Sequence, residues 1–220
     1  RYEEETQTSD LFVMDPTGSE VTRLTDTPEK SEAEARWSPD GSKIAFHASE
    51  NGPTAVYVMD ADGSNVVQLS DPETESSSPD WSPDGSQLVF DVTPPPSPDG
   101  SAGSEIWIMD SDGGALHEVV GDGVSVNHDP RWSPGGSSIA FTHNRDVFVV
   151  NVDGTGLKNL TPGADVYDRD PAWSSDGERI VFASGRTHDP ALSLFTMNRD
   201  GSDVTPVPDG ASLPMMMRWS

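Results

Sequence analysis

Pro79-Asp80-Trp81-Ser82-Pro83-Asp84-Gly85 is followed by Leu88-Val89-Phe90, then by Ile106-Trp107-Ile108-Met109-Asp110 and by Asp112-Gly113. Ser82-Pro83-Asp84-Gly85 puts Ser at position i, Pro at i+1 and Gly at i+3, the preferences of a type I turn. Short apolar runs on either side of Gly-containing turns read as antiparallel strands. The same order recurs outward in both directions. Trp-Ser stands at Trp37, Trp81, Trp132, Trp173 and Trp219, spaced by 44, 51, 41 and 46 residues. A turn Gly keeps phase with it at Gly18, Gly63, Gly113, Gly154 and Gly201, spaced by 45, 50, 41 and 47. The widest gap in both series spans Thr93 to Gly103, where Pro94-Pro95-Pro96-Ser97-Pro98 reads as an extended loop insertion.

Each period resolves into four short strands, A to D. In the first full copy Ala35 to Ser38 ends strand A, Lys43 to Phe46 is B, Ala55 to Met59 is C and Val66 to Leu69 is D. Strands apolar on both sides suit sheets covered on both faces. Four antiparallel strands repeating at 40 to 50 residues make a β-propeller blade, so the fold class is all-β. The structure is expected to be almost entirely antiparallel β, with at most a short helical turn around Glu29 to Ala35, where Glu and Ala are dense and Gly and Pro absent. The four Trp of the full copies are expected at equivalent positions in successive blades.

The string from Pro79 to Gly113 resembles the repeat of TolB-like propellers, in four full copies and two partial ones over 1–220, the partial blades at 1–30 and 209–220. Ser133-Pro134-Gly135-Gly136 and Ser174-Ser175-Asp176-Gly177 vary the turn, and Asn151 and Asn198 stand where Asp60 does, but each substitute is a turn former. About five blades' worth of sequence against the family's six or seven predicts an excerpt with flanking sequence on both sides and unpaired strand edges. The resemblance implies a non-catalytic propeller that binds a protein, an envelope protein, in the periplasm or outside the cell. Similar repeats also serve as substrate-gating propellers of prolyl oligopeptidase-like and tricorn-like peptidases, and as scaffold modules of larger surface proteins.

Composition narrows the chemistry. Thirteen basic against 38 acidic residues give a net charge of -25, which disfavours nucleic acid and anionic membrane surfaces. With no Cys there is neither a disulfide scaffold nor a thiol enzyme. No apolar run is long enough to insert in a membrane, and the first ten residues lack the core of a signal peptide. Gly and Pro together are 39 of 220 residues, against roughly 12% in average proteins, which argues for many turns. The turns absorb part of the acid excess. The rest is compatible with a salt-adapted protein or simply an acidic surface one. His47, His117, His128, His143 and His188 form no zinc-ligand pair, Asp60-x-Asp62-Gly63 lacks the EF-hand spacing, and no nucleophile elbow or phosphate-binding loop occurs.

Alternating strand direction sorts the loops. The tight A–B and C–D turns fall on one face, and the long irregular D–A and B–C loops on the other, the face expected to bind. Three residues before each Trp, where strand A enters the mouth of the central channel, stand Glu34, Ser78, Asp129, Asp170 and Met216; His128 and Asp168 are close by. These seven are the candidate partner-binding residues. Glu34, Asp129 and Asp170 are also candidate ligands for calcium, which takes six to eight oxygens from several segments. The alternative is that these polar groups satisfy loop backbone. Met215-Met216-Met217 has a core-filling alternative. No other cofactor is implied.

Overall fold

The computed structural model describes residues 8–50, 52–96, 103–163, 166–186 and 193–207, and every regular element within them is a strand. β1 (Phe12–Val13) and β2 (Thr22–Arg23) pair as a two-stranded sheet. β3 (Ser31–Trp37), β4 (Lys43–Ser49), β5 (Ala55–Asp60) and β6 (Val67–Gln68) make the first four-stranded sheet. β7 (Glu75–Trp81), β8 (Gln87–Thr93), β9 (Glu105–Asp110) and β10 (His117–Val120) make the second. The third is β11 (Asn127–Trp132), β12 (Ser138–His143), β13 (Asp146–Asn151) and β14 (Lys158–Asn159). The fourth is β15 (Asp168–Trp173), β16 (Arg179–Ser184), β17 (Ser193–Asn198) and β18 (Thr205–Pro206). All pairings are antiparallel and sequential, so each four-stranded sheet is one blade with strands A to D in order.

The A strands β3, β7, β11 and β15 contact one another in turn, forming the inner wall of the ring. Trp37, Trp81, Trp132 and Trp173 close these strands at the same register, as the repeat requires. The cores lie between blades. Strand B supplies both sides with the two-residue alternation of a β-strand. Leu88 and Phe90 face Ala45 and Val56 of the blade before, while Val89 faces Ile139 and Phe141 of the blade after. Ile180 and Phe182 likewise pack on Ala140 and Val147. Each interface thus sets a large pair on one blade against small residues on the next, which is how a core fills without voids. Phe46, Phe90, Phe141 and Phe182 are all at most 1% exposed. Each contributes about 1.5–3 kcal/mol of burial.

The turn chemistry read from sequence is present. Gly41 N–H donates to Ser38 O at 2.9 Å, Ser38 Oγ donates to Asp40 Oδ1 at 2.7 Å, and Lys43 N–H closes on Ser38 Oγ at 2.9 Å. Ala61 N–H donates to Ser42 O and Ser111 N–H to Ser86 O, so A–B and C–D turns share one face.

No helix forms around Glu29 to Ala35, within the bound expected there, and one expectation differs from the structure. Residues Ser31–Trp37 are strand throughout, and the turn immediately before them is closed by Lys30 N–H donating to Thr27 O. The helical propensity of Glu and Ala yields to pairing with β4, which buries Glu32 and Arg36. Strand D is shorter than read: Val66 and Leu69 fall outside β6, as suits an outer edge blunted against further pairing. The partial blade at 209–220, with Trp219, lies outside the described residues.

Candidate functional site

The inner strand of every full blade carries the same defect. In β3 the partners Ala33↔His47 and Arg36↔Ala45 leave Glu34 and Ala35 opposite Phe46 alone, a β-bulge of two residues against one. The identical shift occurs between Ser77 and Asp80, between His128 and Arg131, and between Arg169 and Ala172. The first bulge residue is left-handed each time: Glu34 at φ 56°, Ser78 at 54°, Asp129 at 53° and Asp170 at 53°. A non-Gly residue there costs about 1–2 kcal/mol. The second is Pro79, Pro130 or Pro171 in three blades, and Pro, having no N–H to give a sheet, is at home in a bulge.

The bulge is held from the neighbouring blade. Asp129 N–H donates to Asp91 Oδ1 at 3.4 Å, and Asp170 N–H donates to Thr142 Oγ1 at 3.2 Å. Asp91 and Thr142 directly follow the core residues Phe90 and Phe141 in strand B. Ser77 Oγ donates to Asp91 Oδ2 at 2.6 Å, and Ser78 Oγ reaches Asp129 Oδ1 at 3.5 Å. His47, the residue after Phe46, sets Nδ1 3.5 Å from Glu34 Oε2, an ion-pair distance between two buried atoms.

The charges along this ring are unequal. Burial raises the Glu34 carboxyl, but His47, the Ser78 hydroxyl and the Arg131 guanidinium outweigh it and hold it at about 2. Burial, and then the charge and hydrogen bond of adjacent Asp129, push Asp170 up to about 7. Asp91, buried at 5% exposure, is also pushed up, by burial first and by Asp129 among its neighbours. Asp170 thus resists ionisation beside Asp129, since a second charge close to a carboxylate disfavours its charged form.

The sequence-selected residues separate into two groups. Glu34, Ser78, Asp129 and Asp170 occupy equivalent bulge positions midway along the inner strands, with Ser78 buried and His128 half-buried beside Asp129. Asp168 is wholly buried: it accepts from Ser184 Oγ at 2.5 Å and from Arg186 Nη2 at 2.5 Å. It and its counterparts Glu32, Ser76 and Asn127, five residues before each Trp, anchor loops. Glu32 takes the Thr25 and Thr27 hydroxyls, and Asn127 holds Ser104. Met216 lies outside the described residues. Glu34, Asp129 and Asp170 spread over three blades, and among the described residues no group of three or more His, Asp or Glu side chains is placed to hold a metal ion. His47, Asp91 and Thr142 were missed. Their signal was the Phe that precedes each of them in strand B.

Residues 3–94 match the family model of the TolB β-propeller domain, PD40. An uncharacterised protein of Agrobacterium fabrum is 31% identical over 143 residues, which cover 61% of this chain and 47% of that protein. A protein TolB homolog of Chlorobaculum tepidum is 32% identical over 157 residues, covering 60% and 32%. The chain thus spans about half or less of the curated relatives it matches. TolB from Acinetobacter baumannii superimposes with a TM-score of 0.71 at 23% identity, covering 94% of this chain and 51% of that one. A puromycin-hydrolyzing peptidase of Mycobacterium tuberculosis does so at 0.67 and 19%, covering 91% and 36%. These last two likenesses concern the fold. With the repeat in the sequence and the blades in the structure, the matches lead to one conclusion: the chain has a TolB-like β-propeller fold, and its residues 3–94 carry the TolB β-propeller domain repeat.

Proposed function

We propose that this propeller is a non-catalytic module that binds a protein partner through its irregular loop face, at the channel mouth lined by Glu34, Ser78, Asp129 and Asp170. The observation that carries the reading is the left-handed bulge repeated in four blades. Strained backbone at one equivalent position in every blade costs stability each time, and such outliers cluster at binding surfaces. The polar ring offers carboxylate and hydroxyl acceptors to the N–H groups of a partner. By kinship with TolB the partner is an envelope protein met in the periplasm or outside the cell, an inference by analogy of fold and family.

The chain has no Cys, so one introduced thiol is unique. A photocrosslinker on Arg145→Cys, at the tight β12–β13 turn of the loop face, should yield one discrete adduct in envelope fractions of the source organism. The adduct should fall away in an Asp129→Asn, Asp170→Asn background, since Asn tolerates the same left-handed backbone. An adduct that survives those changes refutes the channel mouth as the binding surface. A second reading, the gating propeller of a peptidase, is favoured by likeness of fold to peptidase structures, the puromycin-hydrolyzing enzyme among them. A nucleophile-elbow hydrolase domain encoded next to this segment would decide for it.

A further inference from the structure

The opposite end of the channel, on the tight-turn face, holds a cavity of about 340 Å3. The indoles that close the inner strands surround it, with Pro39, Pro83 and Pro134 at its rim. In three blades the residue before the Trp also lines it, and there the blades differ: Asp80, Arg131 and Ala172. That volume is in the range of small-ligand pockets, in which a few placed polar groups among apolar ones set the ligand.

The two charges in this wall are not equally engaged. Asp80 Oδ2 accepts Trp132 N–H at 2.9 Å across the blade boundary, and Asp80 has a further partner. Arg131 is 9% exposed, yet only its Nη1 is engaged, donating to Pro130 O at 2.7 Å. The ion pairs among the described residues leave it out. Trp132 Nε1, also without an acceptor, is sealed from solvent, whereas Nε and Nη2 of Arg131 are not among the sealed nitrogens. A guanidinium this deeply placed has given up hydration that no carboxylate at contact replaces. After burial and nearer partners, the charge of Arg131 is one of the influences on Glu34 and Asp170, so those carboxyls compensate it only from beyond ion-pair distance.

The acids around the entrance act differently. Asp40, Asp84 and Asp176 stand in the turns that form the rim and are exposed. The Ser hydroxyl two residues before each, then backbone N–H groups, hold their carboxyls below the usual range, so they stay ionised. Water and salt screen such exposed charges over about 8 Å at physiological ionic strength, while Arg131 acts where little water reaches and its field is stronger.

We propose that this cavity is a second binding site, which takes a small monocarboxylate with an apolar body. The carboxylate pairs with the Nε and Nη2 edge of Arg131, a planar fork that matches its two oxygens. The apolar body lies against the prolines and the ring of Trp37, which is 38% exposed at the entrance. The ionised rim turns away a ligand with a second negative charge, so the occupant is a monoanion.

The test titrates the full chain with phenylacetate by isothermal calorimetry at neutral pH and fixed ionic strength. Saturable binding at one site is expected, about tenfold tighter than that of phenylacetamide, which has the same shape without the charge. Arg131→Gln should abolish the preference for acid over amide, while Trp37→Ala should weaken both several-fold. Circular dichroism verifies the fold of each variant; should Arg131→Gln fail to fold, the comparison of acid with amide on the unaltered chain decides alone. No saturable heat with the acid, equal affinity for acid and amide, or an acid preference kept in Arg131→Gln overturns the proposal. The loop-face reading stands or falls separately, since its crosslink is read at the other end of the channel.

Discussion

Gly201 and Gly113 occupy the same C–D turn in different blades and make a matched experiment. Both are left-handed, at φ +86° and +90°, so Ala at either position incurs the same backbone cost, about 1–2 kcal/mol. Their surroundings differ. A Cβ on Gly201 would stand 2.8 Å from Leu160 O and 3.1 Å from Leu160 Cα, both backbone atoms of a residue buried in the core between the third and fourth blades. That backbone is pinned, since Leu160 N–H donates to Val147 O at 2.9 Å. A Cβ on Gly113 would meet Leu69 Cδ2 at 3.4 Å, the far end of a side chain that can turn aside. Forcing atoms into a packed site adds about 1–3 kcal/mol, so Gly201→Ala should cost about 2–5 kcal/mol and Gly113→Ala only the backbone share. Urea unfolding followed by circular dichroism gives the difference as the shift in midpoint times a common slope. Equal costs, or Gly113→Ala the worse, would show that the turn glycine serves local dihedral freedom alone and not the seating of one blade on another.

Other outcomes follow from the same geometry. Asp170 binds its proton more tightly folded than unfolded, so the native state holds extra proton between about pH 4 and 7 and stability should fall as pH rises through that window; Asp170→Asn should flatten the decline, measured as melting temperature against pH. Glu34 acts oppositely: its lowered pKa contributes stability present above its usual value and lost as pH falls toward about 2, and Glu34→Gln should blunt that acid limb. Trp81→Phe, which loses the bond to Arg36 O, should cost about 1 kcal/mol more than Trp132→Phe, which loses none, in paired urea titrations. Millimolar calcium should raise the melting temperature no more than sodium chloride of equal ionic strength, since both screen a charge of -25; a calcium excess abolished by Asp129→Asn, Asp170→Asn would restore a metal site.

The blades were legible because their signals are local. Ser38-Pro39-Asp40-Gly41 makes its turn from bonds among neighbours, and the periodic Trp marks the end of each inner strand wherever the loops place it. The stretch from Glu29 to Ala35 shows the limit: its propensity is helical, and only pairing with β4, set by the ring, makes most of it strand. The channel mouth was half legible. Counting three residues back from each Trp found the bulge position, and Pro79, Pro130 and Pro171 inside a strand would have identified it as a bulge. Which residues meet it was hidden, because Asp91 and Thr142 reach it across a blade boundary, 38 and 28 residues away in the chain. Asp168 looked equivalent to Asp170 in composition and differs only in direction, one buried under Arg186 and the other at the mouth.

The inner-strand bulge has a bearing on how such a ring changes over time. A residue on a regular strand is bound by alternation: it belongs to one blade interface or the other, and altering it disturbs a packed neighbour. The first bulge residue has no register partner in its sheet, and the second, Ala or Pro, absorbs the mismatch. Glu, Ser, Asp and Asp already fill that position in successive blades over the same Phe and Trp framework. Each blade therefore contributes one side chain that is free of the blade cores, so that this inner ring can change one blade at a time while the scaffold beneath it stays fixed.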